Sequence, residues 1–563
     1  MDANEQYLRW VDKADLELAD ELAGMSAEEI EDAFQCDLAF GTGGLRGMIG
    51  AGTNRMNVHT VAKVSQGLAN YLKKPGHNYS NSQDQAVAIS YDSRVKSEDF
   101  AKTAAGLLAA NGIHVYIYSQ LMPTPCLSYA VRALHCSAGV MITASHNPAK
   151  YNGYKVYGAD GCQITDAAAN SILAEIEKLD IFDDIRTEPF EAGLVAGLVE
   201  WIPESAYDSY MDEVKKQSLA GDHAVDKGLS IVYTPLNGTG LVPVMRALKE
   251  SGFSNVTVVN EQEKPDGTFP TCPYPNPEIK ETMTLGIQYA KRYDADLLLA
   301  TDPDCDRVGI AVKDKDGEYV LLSGNETGVL LLDYICSRRI ALNTMPPDPI
   351  MVKTIVTTDM AEQVAKHYGV RTINVLTGFK YIGEQIGRLE ADGKADSYLF
   401  GFEESYGYLS GTYVRDKDGV NGVLLICEMF AYYQAKGISL LDKLEELYQQ
   451  YGYCLNTLHS YSFEGSTGFK KMQEIMQKFR QPMSRFVNLE VTNILDYFQG
   501  IDSLPKSDVL KFSLENHCSL VVRPSGTEPK LKLYISASAK NHEDAMKIAD
   551  DIVHFAEKQY DLL

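Results

Sequence analysis

The sequence lacks the patterns that mark disulfide-rich, zinc-binding, secreted and membrane proteins. None of its ten cysteines belongs to a CxxC pair, which favours reduced, mostly buried thiols. No uninterrupted apolar stretch approaches the roughly 18 residues that a helix needs to cross a bilayer. The first residues, MDANEQYLRWVDKADLELADEL, lack the basic and apolar regions of a signal peptide. We therefore predict a cytoplasmic protein without a membrane partner.

Positive charge is scarce as well. The chain has 52 Lys and Arg against 77 Asp and Glu, which gives a formal net charge of -25. Such a surface repels nucleic acids and anionic membranes on average, so a phosphate-bearing ligand must meet a locally basic site. We expect small anions as ligands and no nucleic acid.

The chain of 563 residues is too long for one core. Short apolar strands alternate with helices in three successive segments, which predicts three related, mixed α/β domains with largely parallel sheets. The last segment has paired strands and a final amphipathic helix, which predicts a smaller α+β C-terminal domain. The predicted domains are 1–205, 206–322, 323–453 and 454–563.

Each α/β segment ends in a polar loop after a strand. The three loops are TASHNP, DPDCDR and FEESYG. Ligands bind beyond the carboxyl ends of the strands in such sheets, so each loop stands where chemistry is expected.

The DPDCDR loop places Asp302, Asp304 and Asp306 at alternate positions after a buried strand. Three carboxylates this close repel one another, and a hard cation such as Mg²⁺ relieves that repulsion. An EF-hand is excluded, because Arg307 stands where its glycine belongs and Lys313 where its glutamate belongs. Two alternatives stay open: a haloacid-dehalogenase phosphatase whose nucleophile is Asp302, and a solvated acidic turn.

The TASHNP loop raises the question whether Ser145 is a nucleophile or a helix cap. No GxSxG elbow and no separately placed histidine base is visible, since His146 is adjacent in sequence and is expected to point elsewhere. No GxxxxGK[ST] loop is present either, which excludes a Walker-type kinase. A serine that carries a phosphoryl group next to bound Mg²⁺ accounts for both loops.

Four motifs, TASHNP, DPDCDR, FEESYG and RPSGTEPK, occur in this order over nearly the whole chain. In this the chain resembles the α-D-phosphohexomutase superfamily, and within it the longer phosphoglucomutases and phosphomannomutases with a GFEES loop. The resemblance implies an isomerase with four domains that interconverts glucose 1-phosphate and glucose 6-phosphate. The reaction would pass through a phosphoserine and glucose 1,6-bisphosphate, and mannose phosphates would also react.

The resemblance also implies roles for individual residues. The expected catalytic residues are Ser145, Lys155, His146 and Arg46, with Lys155 as the general acid/base if its pKa is lowered. The expected Mg²⁺ ligands are Ser145, Asp302, Asp304 and Asp306. The expected substrate-binding residues are Arg307, Lys380, Glu403, Ser405, Arg523, Ser525, Gly526 and Thr527.

Several points stay open at this stage. A role for Arg415 and for the following Asp416 to Gly419 is as plausible as a plain loop. The main substrate could instead be a mannose or pentose phosphate, and the protein could be a monomer or a homodimer. A non-catalytic sugar-phosphate sensor would keep Arg523 and Glu403 but would show no turnover. We expect the proline-rich run EKPDGTFPTCPYPNPE to pack near the site.

Overall fold

The structure is a computed structural model in which two compact units can be described. It describes residues 1–41, 43–74, 85–221, 227–463, 465–501, 504–525 and 530–563. The first unit comprises Met1–Leu322, Ile382–Asp396 and Gly407–Ala431. The second unit comprises Ser323–Tyr381, Ser397–Tyr406 and Tyr432–Leu563. The four domain boundaries proposed from the sequence stay predictions.

The described helices and strands follow the alternation expected from the sequence. The helices are α1 (Ala3–Lys13), α2 (Leu16–Gly24), α3 (Ala27–Phe34), α4 (Val58–Leu72), α5 (Ser97–Ala110), α6 (Thr124–Ala133), α7 (Asp166–Ile176), α8 (Phe190–Val195), α9 (Glu204–Lys216), α10 (Leu241–Glu250), α11 (Asn260–Glu263), α12 (Lys280–Arg292), α13 (Gly324–Ala341), α14 (Met360–His367), α15 (Phe379–Ala391), α16 (Gly419–Gln434), α17 (Leu440–Tyr451), α18 (Gly465–Phe479) and α19 (His542–Tyr560). The strands are β1 (Gly44–Met48), β2 (Ala86–Tyr91), β3 (His114–Ile117), β4 (Ala138–Ile142), β5 (Tyr151–Gly158), β6 (Val199–Trp201), β7 (Ile231–Thr234), β8 (Val256–Val258), β9 (Leu297–Thr301), β10 (Val308–Lys313), β11 (Tyr319–Leu322), β12 (Ile350–Thr354), β13 (Arg371–Val375), β14 (Tyr398–Glu403), β15 (Gly407–Leu409), β16 (Tyr453–Ser462), β17 (Arg485–Phe486), β18 (Leu489–Asp496), β19 (Leu510–Leu514), β20 (Ser519–Pro524) and β21 (Lys530–Ala539).

The first sheet of the first unit has the order β1-β5-β4-β2-β3-β6. Strands β2, β3, β4 and β6 run parallel, whereas β5 runs antiparallel to both β4 and β1. The core strand β4, AGVMI, is buried along its whole length, as expected for a strand covered on both faces. Helix α5 ends before Gly112, whose φ of +75° is favourable for glycine at a helix end.

The second sheet of the first unit has the order β11-β10-β9-β7-β8. Strand β9, LLLAT, is fully buried and pairs in parallel with β7 but antiparallel with β10. We expected largely parallel sheets and did not predict that β5, β10 and β11 form antiparallel pairs. Short loops reverse the chain before these strands, and a short reversal leads to antiparallel pairing. The loop between β9 and β10 contains the three aspartates.

The second unit contains β12, β13 and β14 and the C-terminal sheet. Strand β12 pairs in parallel with both β13 and β14, and β14 ends at Glu403. The C-terminal sheet has the order β16-β21-β20-β19-β18-β17 and its pairs are antiparallel. Helices α18 and α19 contribute Phe479 and Tyr560 to its core. The paired strands that the sequence suggested around RPSGTEPK are β20 and β21.

Composition-based expectations about thiols agree with the structure. The ten cysteines, all in the described part of the chain, are unpaired, and all except Cys36 are buried. Within the described ranges no helix combines the length and the apolarity needed to cross a membrane.

Candidate active site

Ser145 lies just beyond the end of β4 in a strained turn. Its φ is +52°, a left-handed conformation that costs a non-glycine residue about 1–3 kcal/mol. The residue is buried, and its hydroxyl donates a hydrogen bond of 2.9 Å to Asp302 Oδ2. The serine is therefore not a helix cap, because its side chain joins the first polar loop to the second.

His146 lies closer to the serine than the sequence suggested. Its Nδ1 is 3.1 Å from Ser145 Oγ, although adjacency in sequence led us to expect a ring that points elsewhere. The left-handed backbone at Ser145 reverses the chain and brings the two side chains to one side. Burial, with the nearby charges of Arg307 and Arg46, holds the pKa of His146 well below its usual value. The imidazole is therefore neutral at pH 7.

The three aspartates after β9 converge on one buried point. Asp302, Asp304 and Asp306 are each at most 1% exposed, and each offers a carboxylate oxygen within 4.8 Å of the others. Cys305 turns the loop with a φ of +50° and donates its N–H to the Asp302 carbonyl at 2.9 Å. Asp302 Oδ1 accepts the N–H groups of Asp306 at 3.1 Å and Arg307 at 3.0 Å.

The remaining carboxylate oxygens have the properties of a cation site. Within the described residues, Asp304 Oδ1 and Asp306 Oδ1 are buried without a hydrogen-bond partner, which is costly for charged groups. Burial and the neighbouring carboxylates raise the pKa of Asp302 and of Asp306. A divalent cation would satisfy these oxygens and relieve the repulsion. The donor set therefore fits a metal ion, and Ser145 Oγ is close enough to join it.

Lys155 reaches the aspartates from β5. Its Nζ lies 2.8 Å from Asp304 Oδ2 and 3.7 Å from Asp306 Oδ2. Burial lowers the pKa of Lys155, but the attraction of Asp304 and Asp306 outweighs burial and raises it. In this arrangement Lys155 is protonated, so it is suited to donate a proton. A general base at this place would require a lowered pKa, whereas these carboxylates raise the pKa of Lys155.

Two arginines flank the serine loop and the aspartate loop. Arg46 is an exposed residue of β1, and its Nη1 donates to Asn147 Oδ1 at 3.3 Å. Arg307 pairs with Glu278, and its Nε lies 3.9 Å from Asp302 Oδ2 and 3.8 Å from Asp306 Oδ1. The first unit thus gathers cations around the buried carboxylates in an otherwise acidic chain.

A further lysine lies at this place, within the run Asp416 to Gly419 whose role the sequence left open. Lys417 Nζ lies 3.0 Å from Asp306 Oδ2 and 3.1 Å from Asp416 Oδ1. A Cβ at Gly419 would come within 2.6 Å of the Cys305 carbonyl oxygen, so only glycine allows this close approach. The run RDKDG contains a sequence signal for this lysine, which stands between two aspartates. A lysine is costly to bury unless it is paired, and these aspartates can pair with it. Arg415 instead pairs with Glu390.

The expected sugar-binding residues after β13 and β14 lie in the second unit. Lys380 and Glu403 are buried, and Glu403 Oε1 accepts the N–H of Gly378 at 3.0 Å. Ser405 is half-buried in the turn that follows. Glu404 Oε2 accepts the hydroxyl groups of two threonines of the β12 end, Thr354 at 3.2 Å and Thr357 at 3.3 Å. The contact between Glu403 and Gly378 joins two loops at the carboxyl edge of the sheet.

The expected phosphate loop follows β20 in the second unit. Arg523 and Ser525 are half-buried, and the Ser525 N–H donates to the Lys530 carbonyl at 2.7 Å. The expectations for Gly526 and Thr527 fall outside the described residues.

Comparisons with known proteins cover almost the entire chain. Sequence profiles described as phosphoglucomutase/phosphomannomutase alpha/beta/alpha domains I, II and III match residues 37–181, 208–317 and 323–451. The C-terminal domain profile of the same family matches residues 471–555. A phosphoglucomutase of Staphylococcus epidermidis is 37% identical over 558 residues, which span 96% of this chain and 99% of that protein.

Solved structures agree in fold. A phosphoglucomutase/phosphomannomutase family protein from Burkholderia thailandensis is 18% identical with a TM-score of 0.67 and covers 93% of this chain and 97% of its own. The exocytosis-sensitive phosphoprotein pp63/parafusin from Paramecium, also described as a phosphoglucomutase, is 19% identical with a TM-score of 0.69 and covers 93% and 94%. The predicted series of three α/β domains and a C-terminal domain is confirmed, and the chain belongs to the phosphoglucomutase/phosphomannomutase family.

Proposed function

We propose that this protein is a phosphoglucomutase that interconverts glucose 1-phosphate and glucose 6-phosphate through a phosphoserine at Ser145. One observation carries the proposal: the Ser145 hydroxyl is hydrogen-bonded to one of three buried, converging aspartates. This arrangement occurs in a chain that is 37% identical to a phosphoglucomutase over almost its full length. Glucose 1,6-bisphosphate is the proposed intermediate and activator.

The proposed reaction moves one phosphoryl group at a time. The P–O bond at Ser145 Oγ breaks as a P–O bond to the sugar O6 forms, so glucose 1-phosphate becomes the bisphosphate. The sugar hydroxyl loses a proton and the serine oxygen gains one. The bisphosphate then reorients in the site, and its O1–P bond breaks as a P–O bond to Ser145 Oγ forms. In this step the serine hydroxyl loses a proton and the sugar O1 gains one. Water takes no part and the phosphate count is unchanged.

Each residue near Ser145 is assigned one task. Protonated Lys155, 2.8 Å from Asp304, donates its proton to the serine oxygen as the bond to phosphorus breaks, and the resulting amine takes the proton of the sugar hydroxyl. Neutral His146 lies with its Nδ1 3.1 Å from the serine oxygen and so orients it by a hydrogen bond. Arg307 and Lys417 add positive charge where the phosphoryl group develops charge during transfer.

The three aspartates and Ser145 Oγ would hold Mg²⁺. A bound Mg²⁺ supplies neutralisation of phosphoryl oxygens, which is the main requirement of phosphoryl transfer. Mg²⁺ is expected to bind carboxylate oxygens and not sulfur or imidazole ligands, and this donor set fits that preference.

Sugar recognition is assigned to residues of the second unit. Glu403 and Ser405 would bind the neighbouring hydroxyls on C3 and C4, with Lys380 beside them. Arg523, Ser525, Gly526 and Thr527 would hold the phosphate that is not being transferred, since a guanidinium fork and hydroxyl groups suit a phosphate. Glucose and mannose share the C3 and C4 hydroxyls, so we propose activity on both.

A phosphatase that uses Asp302 as its nucleophile is less well supported. Asp302 Oδ1 already accepts two backbone N–H groups, and Oδ2 accepts the Ser145 hydroxyl. Three hydrogen bonds therefore hold the Asp302 carboxylate in one orientation. These contacts oppose in-line attack by this carboxylate.

The test is turnover of glucose 1-phosphate with Mg²⁺ and a trace of glucose 1,6-bisphosphate. Peptide mapping of the protein after reaction should find phosphate on Ser145. Phosphate on Asp302, or release of inorganic phosphate in place of glucose 6-phosphate, would favour the phosphatase. Binding of glucose 1-phosphate without turnover would favour the sensor.

A further inference from the structure

A single buried arginine from another loop holds the main chain of the serine loop. Arg94 follows β2 and is 3% exposed. Its Nη2 donates to the carbonyls of Ser145, at 2.5 Å, and of Asn147. Its Nη1 donates to the carbonyls of Pro148 and Tyr151, each at 2.9 Å. One guanidinium therefore connects four carbonyls between Ser145 and the first residue of β5.

Asp92 holds the other side of the same serine. Its Oδ2 accepts the Thr143 hydroxyl at 2.6 Å, and the Thr143 oxygen accepts the Ser145 N–H at 2.7 Å. Asp92 Oδ1 accepts the Arg94 N–H at 2.9 Å and the Ser97 hydroxyl at 2.7 Å. The N–H of the strained serine is thus bound through Thr143, and its carbonyl is bound by Arg94.

The proline-rich run fixes Arg94 from its other face. The guanidinium carbon lies 5.1 Å from the centre of the Phe269 ring. A Cβ at Gly267 would lie 2.3 Å from the Val95 nitrogen, so the two loops are in direct backbone contact. The expectation that this run packs near the site agrees with these contacts, although its role is indirect.

We propose that Arg94 is a positioning residue of the phosphoryl transfer. It holds Ser145 in the left-handed turn, so that the hydroxyl faces Asp302 and His146. A planar guanidinium has five donors in a fixed fork, and the compact ammonium of lysine cannot bond to four carbonyls in this arrangement. The inference rests on the proposed function, because it concerns the geometry of the proposed phosphoserine.

The test compares Arg94→Met and Arg94→Lys with Arg338→Met. Arg338 is an equally buried arginine of α13, stacked on Tyr432 in the second unit. In Arg94→Met we expect kcat to fall about 100-fold, because a small displacement of a reacting group has an effect of this size. The KM for glucose 1-phosphate should stay within about threefold, since bound substrate is not touched. The kcat of Arg94→Lys should lie between the values for Arg94→Met and for the wild type.

A second readout does not depend on activity. Hydrogen exchange of the peptide that covers residues 144–153 should be faster in Arg94→Met than in the wild type and unchanged in Arg338→Met. A folded Arg94→Met protein with wild-type exchange there and kcat within about threefold of wild type would overturn the proposal. So would a loss of kcat in Arg338→Met equal to that in Arg94→Met.

A further variant keeps the test open if Arg94→Met does not fold. Thr143→Val removes the bond to the Ser145 N–H, and Thr143→Ser keeps it. The proposal expects low kcat and fast loop exchange in the valine variant only, and equal behaviour of the two would count against it. Absence of phosphate on wild-type Ser145 would instead overturn the proposed function, and the exchange results would still report on the loop.

Discussion

Ser145 Oγ and Asp302 Oδ2 are joined by a hydrogen bond of 2.9 Å, although 157 positions separate the two residues in sequence. The bond connects the loop after β4 to the loop after β9. A phosphoryl group on this oxygen would take the place of the hydroxyl proton. The same three aspartates would then face the phosphoserine and the cation together.

Replacement of Ser145 by alanine should abolish turnover without unfolding the protein. The change removes one hydroxyl, and the backbone contacts of the loop to Arg94 and Thr143 remain. We expect no detectable turnover in the bisphosphate-free assay and a melting temperature within about 5 °C of wild type. Ser90→Ala is the control, since Ser90 is a buried serine with a bond to the Met122 carbonyl. Activity above a few per cent in Ser145→Ala would contradict the mechanism.

Replacement of Asp304 by asparagine should weaken metal binding and activity together. One of three converging carboxylates is lost, so we expect affinity for Mg²⁺ to fall about 100-fold or more. Titration calorimetry with Mg²⁺ and kcat measurement check this. Asp333→Asn is the control, because Asp333 is buried among Tyr368, Tyr433 and Lys443 and not among carboxylates. Full activity of wild type in a chelator would refute the metal assignment.

Replacement of Lys417 by methionine should change binding and catalysis in opposite directions. Its ammonium lies 3.0 Å from Asp306 and competes with a cation for that carboxylate. The variant should bind Mg²⁺ more tightly, yet its kcat should fall about 100-fold because a charge near the transferring group is lost. A variant with weaker Mg²⁺ binding and normal kcat would show that Lys417 acts only on the fold.

The second unit should lose stability in acid through Asp359. Burial opposes ionisation of Asp359, but Lys353 and Lys511 outweigh burial and lower its pKa below the ordinary value. A lowered folded-state pKa gives stability that is present above about pH 4 and is lost as pH falls. Asp359→Asn should be less stable than wild type by about 3 kcal/mol at pH 7.

The pH dependence of that difference is the decisive measurement. Free energies of unfolding in urea should be measured for wild type and Asp359→Asn at several pH values. The difference between the two proteins should become smaller as the pH falls below about 4. A difference that stays constant over this range would show that the carboxylate charge is not its source. Glu515→Gln, at a half-buried residue near the same sheet, serves as a control.

Sugar selectivity should follow the C4 hydroxyl. If Glu403 binds it, galactose 1-phosphate should react about 10- to 150-fold more slowly in kcat/KM than glucose 1-phosphate, which corresponds to one charge-assisted hydrogen bond. Mannose 1-phosphate, which differs at C2, should remain a substrate. Equal values for glucose and galactose would disprove the assignment of Glu403.

Much of the fold could be predicted from the sequence because its strands are short, apolar and regularly spaced. β4 and β9 end where the apolar runs end, and the aspartate cluster follows from spacing alone. The packing of the N-terminal helices could not be predicted, since Trp10 contacts Phe34 and Phe182 in ways that no local pattern indicates.

The site was predictable only in part, for a related reason. Lys417 and Arg94 act across loops that are distant in sequence, and no periodicity indicates which loops meet. His146 was expected to point away from Ser145 because the two residues are adjacent in sequence. The positive φ at Ser145 is rare for a serine and leaves no mark in the sequence.

Nine of the ten thiols are buried and only that of Cys36 is exposed. The thiols can therefore be used to follow unfolding of the native protein. Burial, with the negative charges of Asp37 and Asp32, raises the pKa of Cys36, so even this thiol alkylates slowly near neutral pH. A bulky maleimide should first attach one label per molecule. Each later label then records an opening of the fold, and the order in which Cys454 and Cys305 react would time the opening of the two units separately.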